Sequence, residues 1–117
     1  MEVLLSIEPV ELAPEVAGDL FRITQEAVTN AGRHATADQV AVSLREVDAS
    51  VELRVTDDGS GFGSVDPLGP VEPGHIGLAS IRERAELLDG ELDIETSGKG
   101  TRVLVRAPLS QPSEGSR

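Results

Sequence analysis

Residues 51–57 read Val-Glu-Leu-Arg-Val-Thr-Asp and alternate apolar with polar side chains, the period of a half-buried strand. Continuing that alternation puts Asp57 in phase with Val51, Leu53 and Val55. A carboxylate at the core-facing end of a strand is costly unless something donates hydrogen bonds to it. Directly after it comes Asp57-Asp58-Gly59-Ser60-Gly61, where glycines let a ligand approach the backbone closely. Two donors would resolve the cost. One is a ligand amino group, of the kind an adenine carries. The other is the backbone N–H of a tight turn.

A second polar group sits in the middle of a helical pattern. Glu26, Asn30 and Arg33 are spaced i, i+4, i+7 and share one helix face. Asparagine has poor helix propensity and needs a reason to be there. Its amide oxygen is a hard ligand suited to Mg²⁺, which keeps several waters and binds phosphates as well. Glu26, one turn earlier, could hold a water or accept a proton, and Arg33 or His34 could meet a phosphate. An incidental Asn on a solvated face is the plainer alternative.

Thr101 is in phase with Val103 and Val105, so its hydroxyl is expected to point inward from a strand end, as Asp57 does. Gly74-His75-Ile76-Gly77-Leu78 leads into a helix, and flexible backbone before a helix N-terminus is a natural phosphate cradle. Gly98-Lys99-Gly100-Thr101 looks superficially like a P-loop but has a glycine between Lys and Thr, so a hairpin turn is the better reading. Neither histidine has a second His or a Cys spaced to form a metal site with it.

The elements that must position these groups follow from periodicity. Residues 2–8 form a short strand. Pro14 and Glu15 suit a helix start, and the helix runs to about Arg33 on a stripe of Val16, Leu20, Ile23, Ala27 and Ala31. Val40, Val42 and Leu44 mark a second strand, hairpinned to residues 51–56. Residues 58–77 are rich in Gly and Pro and form a lid. Leu78, Ile81, Ala85 and Leu88 give a second helix, with a capping-box match at Ser80 to Glu83 and Gly90 as C-cap. Residues 91–96 and 101–107 are two further strands. The predicted fold is α+β: a two-layer sandwich with a mixed, mostly antiparallel sheet covered on one face by helices. It occupies residues 1–109, and 110–117 form a disordered tail.

The chain has 117 residues, one domain by length, with a formal net charge of -11. That balance argues against nucleic acid or an anionic membrane as partner. The absence of cysteine excludes disulfides and thiolate metal sites and fits a cytoplasmic location. No apolar run is long enough to span a bilayer. Every basic residue but Lys99 is an arginine, a bias that suits a GC-rich bacterial genome.

Taken in order, these segments resemble the catalytic ATP-binding domain of sensor histidine kinases, of the Bergerat-type fold shared with gyrase-, Hsp90- and MutL-type ATPases. Gln25 to Ala31 with Arg33-His34-Ala35 looks like that family's N box. Asp57-Asp58-Gly59-Ser60-Gly61-Phe62 looks like its first glycine box. Gly74-His75-Ile76-Gly77-Leu78 with Ile81-Arg82-Glu83-Arg84-Ala85 looks like the second glycine box and its helix, and Gly98-Lys99-Gly100-Thr101 like the last ATP motif. The Arg-Glu-Arg-Ala continuation and short lid resemble the nitrate-sensor-like subfamily. Two departures stand out. Asp58 replaces the usual Asn, which adds negative charge near the nucleotide, and the spacing from Gly74 to Gly77 is one residue longer than usual.

The resemblance implies a protein-histidine kinase domain that binds ATP and Mg²⁺. In it Asp57 reads the adenine amino group, Thr101 supports it partly through water, and Asn30 binds Mg²⁺. Glu26 is the candidate water or proton acceptor, catalytic with Asn30. Arg33 and His34 approach the phosphates. Gly59 and Gly61 let the base lie close. Gly77 and Leu78 offer amides to the phosphates, with Gly74, His75, Ile76 and Gly98 completing the ATP site. The phosphate acceptor is a histidine on a separate dimerisation domain, and a response regulator lies downstream. The chain is then a monomeric piece of a larger kinase that does not label itself, cytoplasmic even where the parent kinase is membrane-anchored. The alternative on the same fold is an anti-sigma-factor-type serine kinase that binds a partner protein. An ATPase driving conformational change is a third reading, and such proteins carry large extra domains.

Overall fold

The computed structural model describes residues 2–33, 37–59, 76–97 and 99–109. The elements are β1 (Glu2–Ile7), α1 (Pro14–Arg33), β2 (Gln39–Val47), β3 (Ser50–Asp57), α2 (Ile76–Leu87), β4 (Glu91–Ser97) and β5 (Gly100–Pro108). The five strands form one sheet in the order β1-β2-β3-β5-β4. β1 runs parallel to β2, and the other neighbours are antiparallel. The mixed, mostly antiparallel sheet and the two helices are those expected from the sequence.

The apolar stripe of α1 accounts for its position. Val16, Leu20, Ile23, Ala27 and Ala31 are all buried, at three- and four-residue spacing. They meet a sheet face built in rows of directly opposed residues. One row is Leu44, Leu53, Val105 and Leu92, and the next is Val42, Val55, Val103 and Ile94. Opposed residues point to the same face, so these rows are the floor of the core. Ile81 and Ala85 of α2, with Leu88 just after it, close it from above. Arg84 Nη1 bonds Asp19 Oδ1 at 3.0 Å and ties the two helices together.

The opposite face of the sheet carries charge. Glu52 is 4% exposed although no described helix covers it. Its cross-strand neighbours are Arg45 and Arg106. Arg45 Nε lies 3.0 Å and Arg106 Nη2 3.1 Å from its carboxylate, with Arg54 at 3.8 Å. The arginines bury Glu52 under their own stems. Beside them Arg102 pairs with Glu95 at 2.9 Å and with Asp93 at 3.5 Å.

Two details depart from the sequence reading. First, α2 begins at Ile76, ahead of the Ser80 capping-box match, so residues 76 and 77 are helix and not lid. Second, its αL terminator is Asp89, with φ 57, not Gly90. Gly90 N–H bonds Ala85 C=O at 3.0 Å and Asp89 N–H bonds Glu86 C=O at 3.0 Å, which is a Schellman motif. Gly90 is glycine for another reason: a Cβ there would stand 2.8 Å from Arg106 C=O. The expected first strand is present as an edge strand outside the helical cover, and its Val3, Leu4, Leu5 and Ile7 are 44–69% exposed. The remainder of the expected lid, residues 60–75, and the expected tail, residues 110–117, lie outside the described residues. No described helix is long and apolar enough to cross a membrane.

Candidate functional site

The sheet rows that build the core end in a polar one. Beyond Val42, Val55, Val103 and Ile94 the next row is Val40, Asp57, Thr101 and Thr96. Its side chains face the helices, as those of the apolar rows do. Thr101 is buried and Asp57 half-buried. The Thr101 and Thr96 hydroxyls are hydrogen-bonded at 3.0 Å. Three polar side chains therefore line the end of the hydrophobic layer, where the alternation of each strand requires an inward residue.

The chain path brings the other candidates to the same end. α1 runs toward it, and Asn30 lies in the last turn of that helix. After the helix, Ala37 N–H bonds Ala31 C=O at 2.9 Å, and β2 starts two residues later. The end of β3 meets the start of β2, since Val40 is the cross-strand partner of Asp57. α2 precedes β4, whose Thr96 end belongs to this row, and runs back alongside α1. Its N-terminus therefore opens at this end too. The N–H groups of Ile76, Gly77 and Leu78 are in its first turn and have no intrahelical acceptor. That is a ready site for anionic oxygens.

Of the two resolutions open to Asp57, the described residues show the tight turn. Gly59 N–H donates to Asp57 Oδ1 at 2.9 Å, the tight-turn solution. Burial nevertheless pushes the Asp57 carboxyl above its ordinary value, with the backbone donors of Gly59 and Thr101 opposing and the neighbouring Asp58 charge adding to the rise. A carboxylate has about four lone-pair sites, so the turn leaves acceptor capacity at the polar end of the core.

Asn30 is 6% exposed, and its Nδ2 is buried without a hydrogen-bond partner. A buried amide in that condition calls for a partner from outside the described protein atoms, a ligand or ordered water. The two ends of an amide are exchangeable by a flip, so the same position suits an oxygen ligand to a cation. Glu26 is half-buried one turn earlier. Among the described residues no three His, Cys, Asp or Glu side chains cluster as a metal cage.

Three residues here have contacts that the sequence reading did not assign to them. Gly100 has φ +144, and a Cβ on it would collide with the Asp57 carbonyl oxygen. Its signal was the Gly-x-Gly turn. Thr96 was legible as the inward continuation of Leu92 and Ile94. Asp58 accepts from the N–H groups of Asp38 and Gln39, bonds no local pattern announces. Of the other predicted site residues, Gly59 is buried beside Asp57. The side chains of Arg33, Ile76 and Leu78 and all of His34, Gly61, Gly74, His75 and Gly98 lie outside the described residues. The open depression of about 440 Å³ along α2, lined by Ala79, Ser80, Arg82, Glu83 and Glu86, includes none of these groups.

The chain is similar to known proteins over most of its length. Residues 15–111 match the family described as histidine kinase-, DNA gyrase B- and HSP90-like ATPases. An uncharacterised sensor-like histidine kinase of Chloroflexus aurantiacus is 42% identical over 88% of the chain and 18% of its own length. The sensor histidine kinase LiaS of Bacillus subtilis is 34% identical over 93% of the chain and 29% of its own length. The chain thus spans less than a third of either relative. Among solved structures, the blue-light activated histidine kinase of Erythrobacter litoralis EL346 superposes with a TM-score of 0.82 and 27% identity, covering 99% of this chain and 37% of that one. A polar row closing an apolar sheet, an orphaned helix amide and a matching sequence over residues 15–111 lead to one conclusion: the chain belongs to the histidine kinase-, DNA gyrase B- and HSP90-like ATPase family.

Proposed function

We propose that this chain is the ATP-binding catalytic domain of a two-component sensor histidine kinase. In this reading it binds Mg·ATP and offers the γ-phosphate to a histidine on a separate dimerisation domain, from which a response regulator is served. The observation that carries the reading is the polar row at the end of the core. Asp57, Thr101 and Thr96 face inward there, beside a buried amide with an unmet hydrogen bond.

Each residue then has a task. Asp57 accepts from the exocyclic amine of adenine with the acceptor capacity its turn leaves free. The Thr101–Thr96 hydroxyl pair supports the same edge of the base, directly or through water. Gly59 removes a side chain from the base's path. At the other end of the nucleotide, the first-turn amides of α2 hold phosphate oxygens. Asn30 is the protein ligand to Mg²⁺, with Glu26 acting through a water. The cation supplies charge neutralisation to the phosphates when bound. What the protein contributes to transfer is positioning and electrostatics, not covalent chemistry.

Base discrimination tests the reading. Guanine presents a carbonyl where adenine presents an amine, so it would set two acceptors against each other at Asp57. A competition titration with a fluorescent ATP analogue should show ATP displacing it at least tenfold more effectively than GTP. Equal displacement by the two nucleotides would remove Asp57 from base recognition.

A further inference from the structure

Two neighbouring carboxylates at the end of β3 point to different tasks. Asp57 faces inward in the polar row that ends the core. Asp58, the next residue, turns to the other side of the strand as the pleat requires, and its Oδ1 accepts two backbone hydrogen bonds at once. They come from Asp38 N–H at 3.0 Å and Gln39 N–H at 2.9 Å. Asp58 N–H returns a bond to Gln39 C=O at 3.2 Å. The segment so held is bonded to the end of α1 through Ala37. Ala37 is buried and its N–H bonds Ala31 C=O at 2.9 Å, one residue from Asn30. Asp38 C=O in turn accepts from Glu2 N–H at 2.8 Å, so the same node seats the first strand.

We infer that Asp58 is a positioning residue for the phosphate and cation end of the site. It fixes residues 37–39, which bond the last turn of α1 at Ala31, against the end of β3, and so sets Asn30 in relation to Asp57. The inference rests on the nucleotide-binding reading. Only Oδ1 makes these bonds, so a neutral amide oxygen can make both. The negative charge is incidental to the clamp and is unfavourable beside an anionic ligand. This separates two consequences of one residue: the clamp survives Asp58→Asn and is lost in Asp58→Ala.

The test compares the chain with its Asp58→Asn and Asp58→Ala variants in two binding titrations, adenosine without Mg²⁺ and Mg·ATP. Adenosine reports the Asp57 end alone. Asp58→Ala should weaken Mg·ATP about tenfold while changing adenosine affinity less than twofold, and Asp58→Asn should restore Mg·ATP to the parent value or better. Hydrogen exchange supplies a readout independent of ligand: the Asp38 and Gln39 amides should lose protection in Asp58→Ala and keep it in Asp58→Asn. Equal weakening of both ligands by Asp58→Ala, or no weakening of either, overturns the inference while leaving the nucleotide site intact. Failure of Asn to restore Mg·ATP overturns it as well, by assigning the effect to charge. Failure of the parent chain to bind either ligand overturns the functional reading, and this inference with it.

Discussion

Gly100 and Asp57 meet backbone to backbone: with φ +144, Gly100 leaves no room for a Cβ beside the Asp57 carbonyl oxygen. The two residues sit at the facing ends of β5 and β3, where Asp57 pairs with Thr101. The glycine is therefore the reason two inward polar groups, Asp57 and Thr101, can stand side by side at the end of the core. A side chain at this position would push the strands apart where the site is built.

Gly100→Ala should accordingly cost about 2–4 kcal/mol of stability, from a disfavoured φ and a backbone collision together. Urea denaturation would measure it. Nucleotide affinity should fall in the fraction that remains folded, because the Asp57–Thr101 pairing shifts. A variant of unchanged stability would mean that the turn relaxes freely.

The β2–β3 hairpin holds an improvable turn. Asp48 and Ala49 both have positive φ, 52° and 63°, the pattern of a two-residue type I′ turn that favours Asp-Gly. An alanine in the left-handed region costs roughly 1 kcal/mol or more. Ala49→Gly should raise stability by about 0.5–1 kcal/mol after the extra chain entropy of glycine is counted, readable as a higher denaturation midpoint with unchanged nucleotide affinity.

Glu52 gives the protein an acid-sensitive element on the helix-free face. Hydrogen bonding from Arg106 is the largest influence on its carboxyl and, with Arg45, holds it below its ordinary value, against the opposing effect of burial. A carboxyl with a lowered folded value stabilises the fold above about pH 4.5, and that contribution disappears as pH falls through the lowered value. Glu52→Gln should therefore be about 1–2 kcal/mol less stable than the parent at neutral pH, a modest figure because the arginines are about half exposed. The gap should close in the acid range below pH 4.5. A pH-independent gap would assign the loss to packing alone.

Much of this was legible because burial is periodic. The α1 stripe from Val16 to Ala31 and the strand alternations at 51–57 and 101–107 each encode one face, so the buried set follows from phase. Asp57 and Thr101 stood out because they break apolar character while keeping phase. What the sequence hid was of two kinds. Asp58 acts on backbone N–H groups nineteen and twenty residues away, and such bonds leave no pattern in residue types. The ends of α2 were misread because a Ser-x-x-Glu spacing occurs by chance inside helices, and because Gly90 marks a close approach to Arg106 C=O while Asp89 takes the αL turn. The charged cover over Glu52 escaped notice since it appears only when β2, β3 and β5 are placed side by side.

The most direct measurement is isothermal titration of Mg·ATP into the chain and its Asp57→Ala and Asn30→Ala variants, with circular dichroism confirming that each is folded. Loss of measurable binding in both, with the fold retained, is the expected result. Undiminished affinity in folded Asp57→Ala and Asn30→Ala would show that the nucleotide, if it binds, sits elsewhere than at the polar end of this sheet.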